Sequence, residues 1–162
     1  MAEDLLFNRQ DWMFSCRVGA LIYRDGKILL QQAAGDAGYA IPGGHVAFGE
    51  FTGETLEREI LEETGAAVRI GRLCAVCELF WRWKKPCHQL NFYYLAYLQD
   101  PGALLQERFY AFDALGNERI ELEFCWIPVE QISRLRVYPR CLKPYLAHPP
   151  TSVLHLQEND LL

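Results

Sequence analysis

Between Gly43 and Ala66 the chain reads GGHVAFGEFTGETLEREILEETGA, and its acids are spaced for joint action. At about 100° per residue, an α-helix carries Glu59, Glu62 and Glu63 within an arc of roughly 100° on one side. Three like charges this close raise one another's pKa unless a cation sits among them. A solvated acidic face is the plain alternative. Clustered carboxylate oxygens suit Mg²⁺ or Mn²⁺, ions that also bind phosphate oxygens.

Such a face needs a helix held at a fixed height above a core. Thr52 is suited to cap that helix, Gly65 to stop it near Thr64, and Leu56, Ile60 and Leu61 to supply its inward face. Upstream, the β-prone runs Arg17 to Tyr23 and Lys27 to Gln32 are joined through Arg24-Asp25-Gly26, where Asp-Gly favours a tight hairpin turn. Downstream, Val68 to Phe80 and Leu90 to Leu98 read as strands, with Leu90, Phe92, Tyr94, Ala96 and Leu98 alternating against more polar or aromatic neighbours. Asp100 to Arg119 is long for a connection, and such length marks a functional or mobile segment. Ile120 to Ile127 reads as strand, Val129 to Leu135 as a short helix, and Tyr138 to Leu146 as a further helix that Pro144 distorts. Strands interspersed with a few helices predict a mixed α/β or α+β layer structure.

The acid-bearing segment resembles the Nudix box, G-x5-E-x7-R-E-U-x-E-E-x-G-U with U a bulky aliphatic residue. Gly44, Glu50, Arg58, Glu59, Ile60, Glu62, Glu63 and Gly65 match it, and only the final U departs, as Ala66. The resemblance implies the Nudix fold, an α/β/α sandwich around a mixed β-sheet. It also implies a hydrolase in which water attacks phosphorus in the phosphoanhydride of a nucleoside diphosphate derivative. Glu59, Glu62 and Glu63, with the backbone carbonyl of Gly43, become the implied ligands of Mg²⁺ or Mn²⁺, and Glu50 and Arg58 an implied bracing salt bridge. Gly43 and Gly44 suit a carbonyl turned toward a metal, because glycine leaves the backbone free to turn. The general base is left open between Glu62, Glu63 and a carboxylate outside the box. Two rival readings are a same-fold hydrolase of a non-nucleoside diphosphate and a catalytically silent nucleotide-binding domain. Where some subfamilies carry a proline or tyrosine beyond the box, this chain has Trp81 and Arg82 to Lys84, and it lacks an SQPWPFPxS run.

Two regions outside the box offer further site residues. Trp81, Arg82, Trp83, Lys84 and Lys85 combine aromatic faces that stack on a base with cations that meet phosphate. An exposed hairpin tip or a contact between two copies in a homodimer is the alternative there. Glu118, Glu121 and Glu123 precede Cys125-Trp126-Ile127-Pro128. Alternation sets Glu121 and Glu123 on one strand face with Arg119, while Glu118 falls out of phase. Glu121 is the choice for a late carboxylate acting as base, ahead of Glu123, against a charged strand edge that discourages aggregation.

The bulk properties narrow the setting. At 162 residues the chain suits one domain spanning 1–162. A net charge of −5 disfavours a sequence-blind nucleic-acid binder, and no apolar run is long enough for a membrane span. The acidic start, followed by Asn8, Arg9, Gln10 and Asp11, is unlike an export signal. Six scattered cysteines read as free thiols in a reducing cytoplasm. Cys74-x-x-Cys77 with Cys87 and His88 invites zinc, but a separation of three along a strand predicts opposite faces for the pair.

Overall fold

In the computed structural model, residues 3–115 and 118–162 are described, with side chains assigned except at 113–115 and 118. Met1 and Ala2 of the acidic start, and Gly116 and Asn117 of the long connection, lie outside the described residues. Eleven strands and one α-helix are found among the rest: β1 (Leu6–Asn8), β2 (Met13–Arg24), β3 (Lys27–Ala33), β4 (Tyr39–Ala40), β5 (Gly43–His45), α1 (Thr52–Thr64), β6 (Val68–Arg82), β7 (Pro86–Leu98), β8 (Arg108–Leu115), β9 (Glu118–Pro128), β10 (Val137–Tyr138) and β11 (Leu154–Asn159). The sheet is mixed, with parallel pairs β2/β7, β6/β11 and β4/β10 among antiparallel neighbours.

The first hairpin forms as its sequence requires, with Asp25 at φ 50° and Gly26 at φ 73°. Its strands stay paired only near the turn, at Tyr23–Ile28 and Arg24–Lys27. Beyond that point they part. β3 goes on to pair with β9, and β5 takes the vacated edge of β2 at Arg17–Gly19.

Alternation along the strands builds a core on each side of the sheet. Val18, Ala20, Ile22, Leu29, Phe124 and Trp126 pack with Leu56 and Ile60 of α1. Leu21, Ile28, Leu30, Cys125 and Ile127 pack instead with Ile132, Val137, Leu142 and Leu146. Burying Leu56 and Ile60 contributes roughly 1.5 to 3 kcal/mol each, enough to seat the helix. The sandwich thus has α1 as one outer layer. Its other layer consists of the 3-10 helices Val129–Arg134 and Lys143–Tyr145 and their flanks.

Several expectations are corrected. Thr52 is the first helical residue rather than the cap: Phe51 precedes the helix, its N–H donates to Glu54 Oε2 at 2.8 Å, and the Thr52 hydroxyl meets Tyr94 OH at 2.6 Å. Leu61 is 50% exposed and points away from the core, because it lies about 140° around the helix from Leu56. No α-helix spans Tyr138 to Leu146. Two prolines remove N–H donors there, and only a 3-10 turn survives. The long connection contains β8, which pairs with β9 from Arg108–Cys125 to Leu115–Glu118. On β7 the expected alternation holds, with Phe92, Tyr94, Ala96 and Leu98 on the α1 side, but the other face, with Cys87, Gln89, Asn91, Tyr93 and Leu95, is the more deeply buried. Cys74 and Cys77 join the same core layer instead of opposite faces, because the β6/β7 register shifts at Leu73–Ala75 break the alternation. Both are free thiols.

Candidate functional site

Gly65 ends α1 with φ 75°, its N–H donating to Leu61 O, so the acids sit on a helix with defined ends. Along its margin Glu63 is 9% exposed, while the Glu62 side chain is 59% exposed. The expected brace is present. Arg58 donates Nε to Glu50 Oε1 at 3.0 Å and Nη2 to Glu50 Oε2 at 3.0 Å, and the Thr55 hydroxyl adds a bond of 2.7 Å to the same carboxylate. Nη1 of Arg58 reaches Glu59 Oε1 at 2.8 Å and Glu62 Oε2 at 3.2 Å. One guanidinium therefore ties the loop carboxylate to two acids of the helix face and offsets part of their repulsion.

The two box glycines do different work, and neither has a positive φ that would demand glycine for its backbone conformation. A Cβ on Gly43 would fall 1.9 Å from the Val18 carbonyl oxygen, so glycine is needed for β5 to approach β2. A Cβ on Gly44 would fall 2.4 Å from Glu59 Cδ. Gly44 thus leaves the space that the Glu59 carboxylate fills. This steric reason replaces the conformational freedom expected from the sequence.

Hydrogen bonds from Arg58 and then from Thr55 hold the Glu50 carboxyl below its ordinary value of 4.5. A carboxylate lowered in the folded state contributes stability that is full above its unfolded value and lost as pH falls through the folded one. Glu50→Ala is therefore expected to cost about 1 kcal/mol near neutral pH, with the gap to wild type closing below about pH 4. Urea unfolding of both proteins at the two pH values checks this. A gap that widens in acid would contradict it.

Where β2 and β3 part, a cavity of about 590 Å³ opens, lined by Arg17 and Val18 of β2, Gln31 of β3, and Ala40 and Ile41 just before the glycines. Its far wall holds Trp81 and Arg82 of β6, Gln89, Asn91 and Tyr93 of β7, and Tyr138. Gly19 allows that wall, since a Cβ there would meet the Tyr93 ring at 2.6 Å. The volume lies in the range of small-molecule sites. Beside it, His45 is paired in register with Arg17; burial, then the charge of Arg17, lowers its pKa to about 3 and keeps the ring neutral.

The structure separates the other expected site residues. Trp81 and Arg82 line the cavity. Trp83 is 53% exposed at the hairpin tip with the Lys84 ammonium 4.8 Å from its ring centroid, and Lys85 donates to Asn8 Oδ1 at 2.5 Å and Arg9 O at 2.7 Å. Trp83 and Lys84 are not among the lining side chains. Arg82→Ala is expected to raise KM about tenfold by removing a phosphate-matching cation, while the pair Trp83→Ala with Lys84→Ala leaves KM unchanged. Saturation kinetics of both variants would expose the reverse pattern.

Glu121 and Glu123 do not join the acids of α1. They alternate with Leu122 and Phe124, which face the α1 side of the sheet, so both point to the other side. Glu123 is paired with Arg108 at 2.7 Å, and the two acids border a separate cavity of about 170 Å³ with Gln32 and Tyr110. Arg17, Gln31, Gln89 and Asn91 escaped the sequence reading. The i, i+2 spacing of Gln89, Asn91 and Tyr93 was the available signal for a polar strand face.

A profile described as NUDIX domain matches residues 13–148. This chain belongs to the Nudix family. Solved structures agree at the level of the fold. A UDP-X diphosphatase superposes with a TM-score of 0.60 at 23% identity, over 86% of this chain and 66% of that one. An ADP-ribose pyrophosphatase from Streptococcus suis gives 0.59 at 15% identity, over 87% and 98%. A MutT protein from Methanosarcina mazei gives 0.58 at 21%, over 82% and 90%. Among the described residues, no helix of this Nudix chain is long and apolar enough to cross a membrane.

Proposed function

We propose that this Nudix pyrophosphohydrolase cleaves the phosphoanhydride of a nucleoside diphosphate derivative by attack of water on phosphorus. The observation that carries the reading is the acid face of α1, braced to the loop by Arg58 and Glu50, with Gly44 of the box paired to Val18, a residue that lines the cavity of about 590 Å³. Among the described residues no three His, Cys, Asp or Glu side chains are gathered closely around one point, and Arg58 holds two of the acids. The donor set nevertheless fits a hard divalent ion, since its members are carboxylates and Gly44 lets the Glu59 carboxylate lie close against β5, the strand that carries the Gly43 carbonyl. Glu59, Glu62 and Glu63, with the Gly43 carbonyl, would hold Mg²⁺ or Mn²⁺. When bound, such an ion neutralises phosphate oxygens and lowers the pKa of water.

The chain's own groups supply the rest. Arg17 and Arg82 line the cavity and oppose phosphate charge, and its aromatic walls exclude water from the ring portion of the substrate. Glu62 or Glu63 accepts the proton from the attacking water, and Glu121, on the other side of the sheet, is not assigned that role. Release of phosphate and pyrophosphate is to be measured across nucleoside triphosphates, nucleotide sugars, dinucleotides and non-nucleoside diphosphates, with Mg²⁺ and with chelator. Hydrolysis of nucleotides that chelator abolishes is expected. Turnover confined to non-nucleoside diphosphates would overturn the substrate class, and no turnover at all would favour the silent domain.

A further inference from the structure

Three polar side chains share one face of β7, and a single contact fixes which way their amides point. Trp81 Nε1 donates to Gln89 Oε1 at 2.7 Å, Gln89 Nε2 donates to Asn91 Oδ1 at 2.7 Å, and Asn91 Nδ2 donates to Tyr93 OH at 2.6 Å. An indole nitrogen only donates, so Gln89 must turn its oxygen to Trp81, and Asn91 its oxygen to Gln89. The phenol at the other end can donate or accept and imposes no direction. Turning either amide over would bring N–H against N–H.

Each NH₂ group therefore spends one hydrogen within the row and keeps a second, for which the described residues provide no acceptor. Gln89, Asn91 and Tyr93 are 7%, 7% and 4% exposed, and all three line the cavity. A donor so deeply buried is costly to leave unmatched, which favours an oxygen from whatever enters. Burial above all pushes the Tyr93 hydroxyl up, so it stays protonated and remains a donor. Arg17, in register with Asn91 on β2, has no ion pair among the described residues and adds further N–H groups. Of the acids around the cavity, Glu158 and Asp160 are engaged by Arg140, and Asp36 is exposed.

We propose that Gln89 and Asn91 read a carbonyl oxygen on the substrate's nucleobase, so that keto bases such as uracil and hypoxanthine are preferred to the amino bases cytosine and adenine. A carbonyl accepts from the spare amide hydrogens. An exocyclic amino group instead meets N–H groups that Trp81 prevents from turning away. Phosphate and sugar oxygens also accept, but the rings of Trp81 and Tyr138 in the cavity lining suit a flat ligand. This inference rests on the nucleotide reading above and adds the class of base and the residues that select it.

The test compares uridine with cytidine nucleotides and inosine with adenosine nucleotides, each pair carrying the same phosphate group. Wild type is expected to favour the keto member by on the order of 10- to 100-fold in kcat/KM. Trp81→Phe keeps an aromatic side chain and removes the N–H that fixes the row, so both amides become free to present oxygen. In that variant the ratio is expected to fall to within about threefold, by loss on the keto member and gain on the amino member. Asn91→Leu, of similar size without the amide, is expected to lower the ratio through the keto member alone. A purely structural role would lower both members alike and leave the ratio where it was. Where one variant does not fold, the other decides. The members of each pair share sugar and phosphates, so an indifferent wild type means that the donors serve those groups. That result, or a full ratio kept in a folded variant, overturns the base assignment while leaving nucleotide hydrolysis standing. Failure to hydrolyse any nucleotide overturns the underlying reading and this inference with it.

Discussion

Glu62→Gln and Glu63→Gln are each expected to lower kcat by at least on the order of 100-fold while the protein keeps its fold. Glutamine preserves side-chain shape and removes an anionic oxygen, so the change isolates charge from packing. Both residues stand on the acid face of α1, and a general base or a ligand to a catalytic ion is worth this much or more. The two variants should differ in stability. Glu62 is mostly exposed and shares Arg58 with Glu59, so losing its pairing costs less than about 1 kcal/mol. Glu63 is 9% exposed and has interactions of its own, so removing its charge is expected to move Tm further than the change at Glu62 does. Rates with Mg²⁺ on the best substrate, read beside thermal melts, check both statements. Wild-type rates in both variants would remove the helix face from the chemistry.

Gly44→Ala should cost activity and Gly43→Ala should cost the fold. The added methyl at position 44 meets Glu59 Cδ at 2.4 Å and Oε2 at 2.5 Å, atoms at the end of a flexible side chain. That carboxylate can swing aside cheaply, but it then leaves the place where Arg58 Nη1 meets it at 2.8 Å. A displacement of about 1 Å at a reacting centre costs on the order of 100-fold in rate, and Tm should change little. At position 43 the methyl meets backbone, 1.9 Å from Val18 O and 2.9 Å from Gly19 Cα. Neither strand can yield without breaking the β2/β5 pairing at Gly19–Gly43, so a loss of several kcal/mol is expected. Circular dichroism melts and kcat/KM for both variants test the contrast. Equal melting temperatures for the two alanines would show that β5 tolerates the methyl and that its approach to β2 is looser than described.

What the sequence alone determined about this protein is local in origin. Asp25-Gly26 specifies a turn, Gly65 a helix stop, and the spacing of Glu59, Glu62 and Glu63 a shared helix face. Glu50 and Arg58 were legible only as members of the box, and the ion pair is where that resemblance placed it. Each of these features depends on residues within a turn or two of one another, or on a motif written in one stretch. The tertiary structure decided what depends on distant partners. β11 exists by parallel pairing with β6, across some eighty residues of chain, and β8 by pairing with β9. Leu61 faces solvent and Glu63 the interior because the direction of α1 is set by Leu56 and Ile60 against the sheet. The buried face of β7 carries Gln89 and Asn91, which hydropathy alone places outside; Trp81 and Tyr93 supply the hydrogen bonds that make their burial tolerable. The cavity itself arises where β2 and β3 part, and the parting is set by what pairs with each strand, a competition between β5 and β9 that no local pattern in the hairpin records.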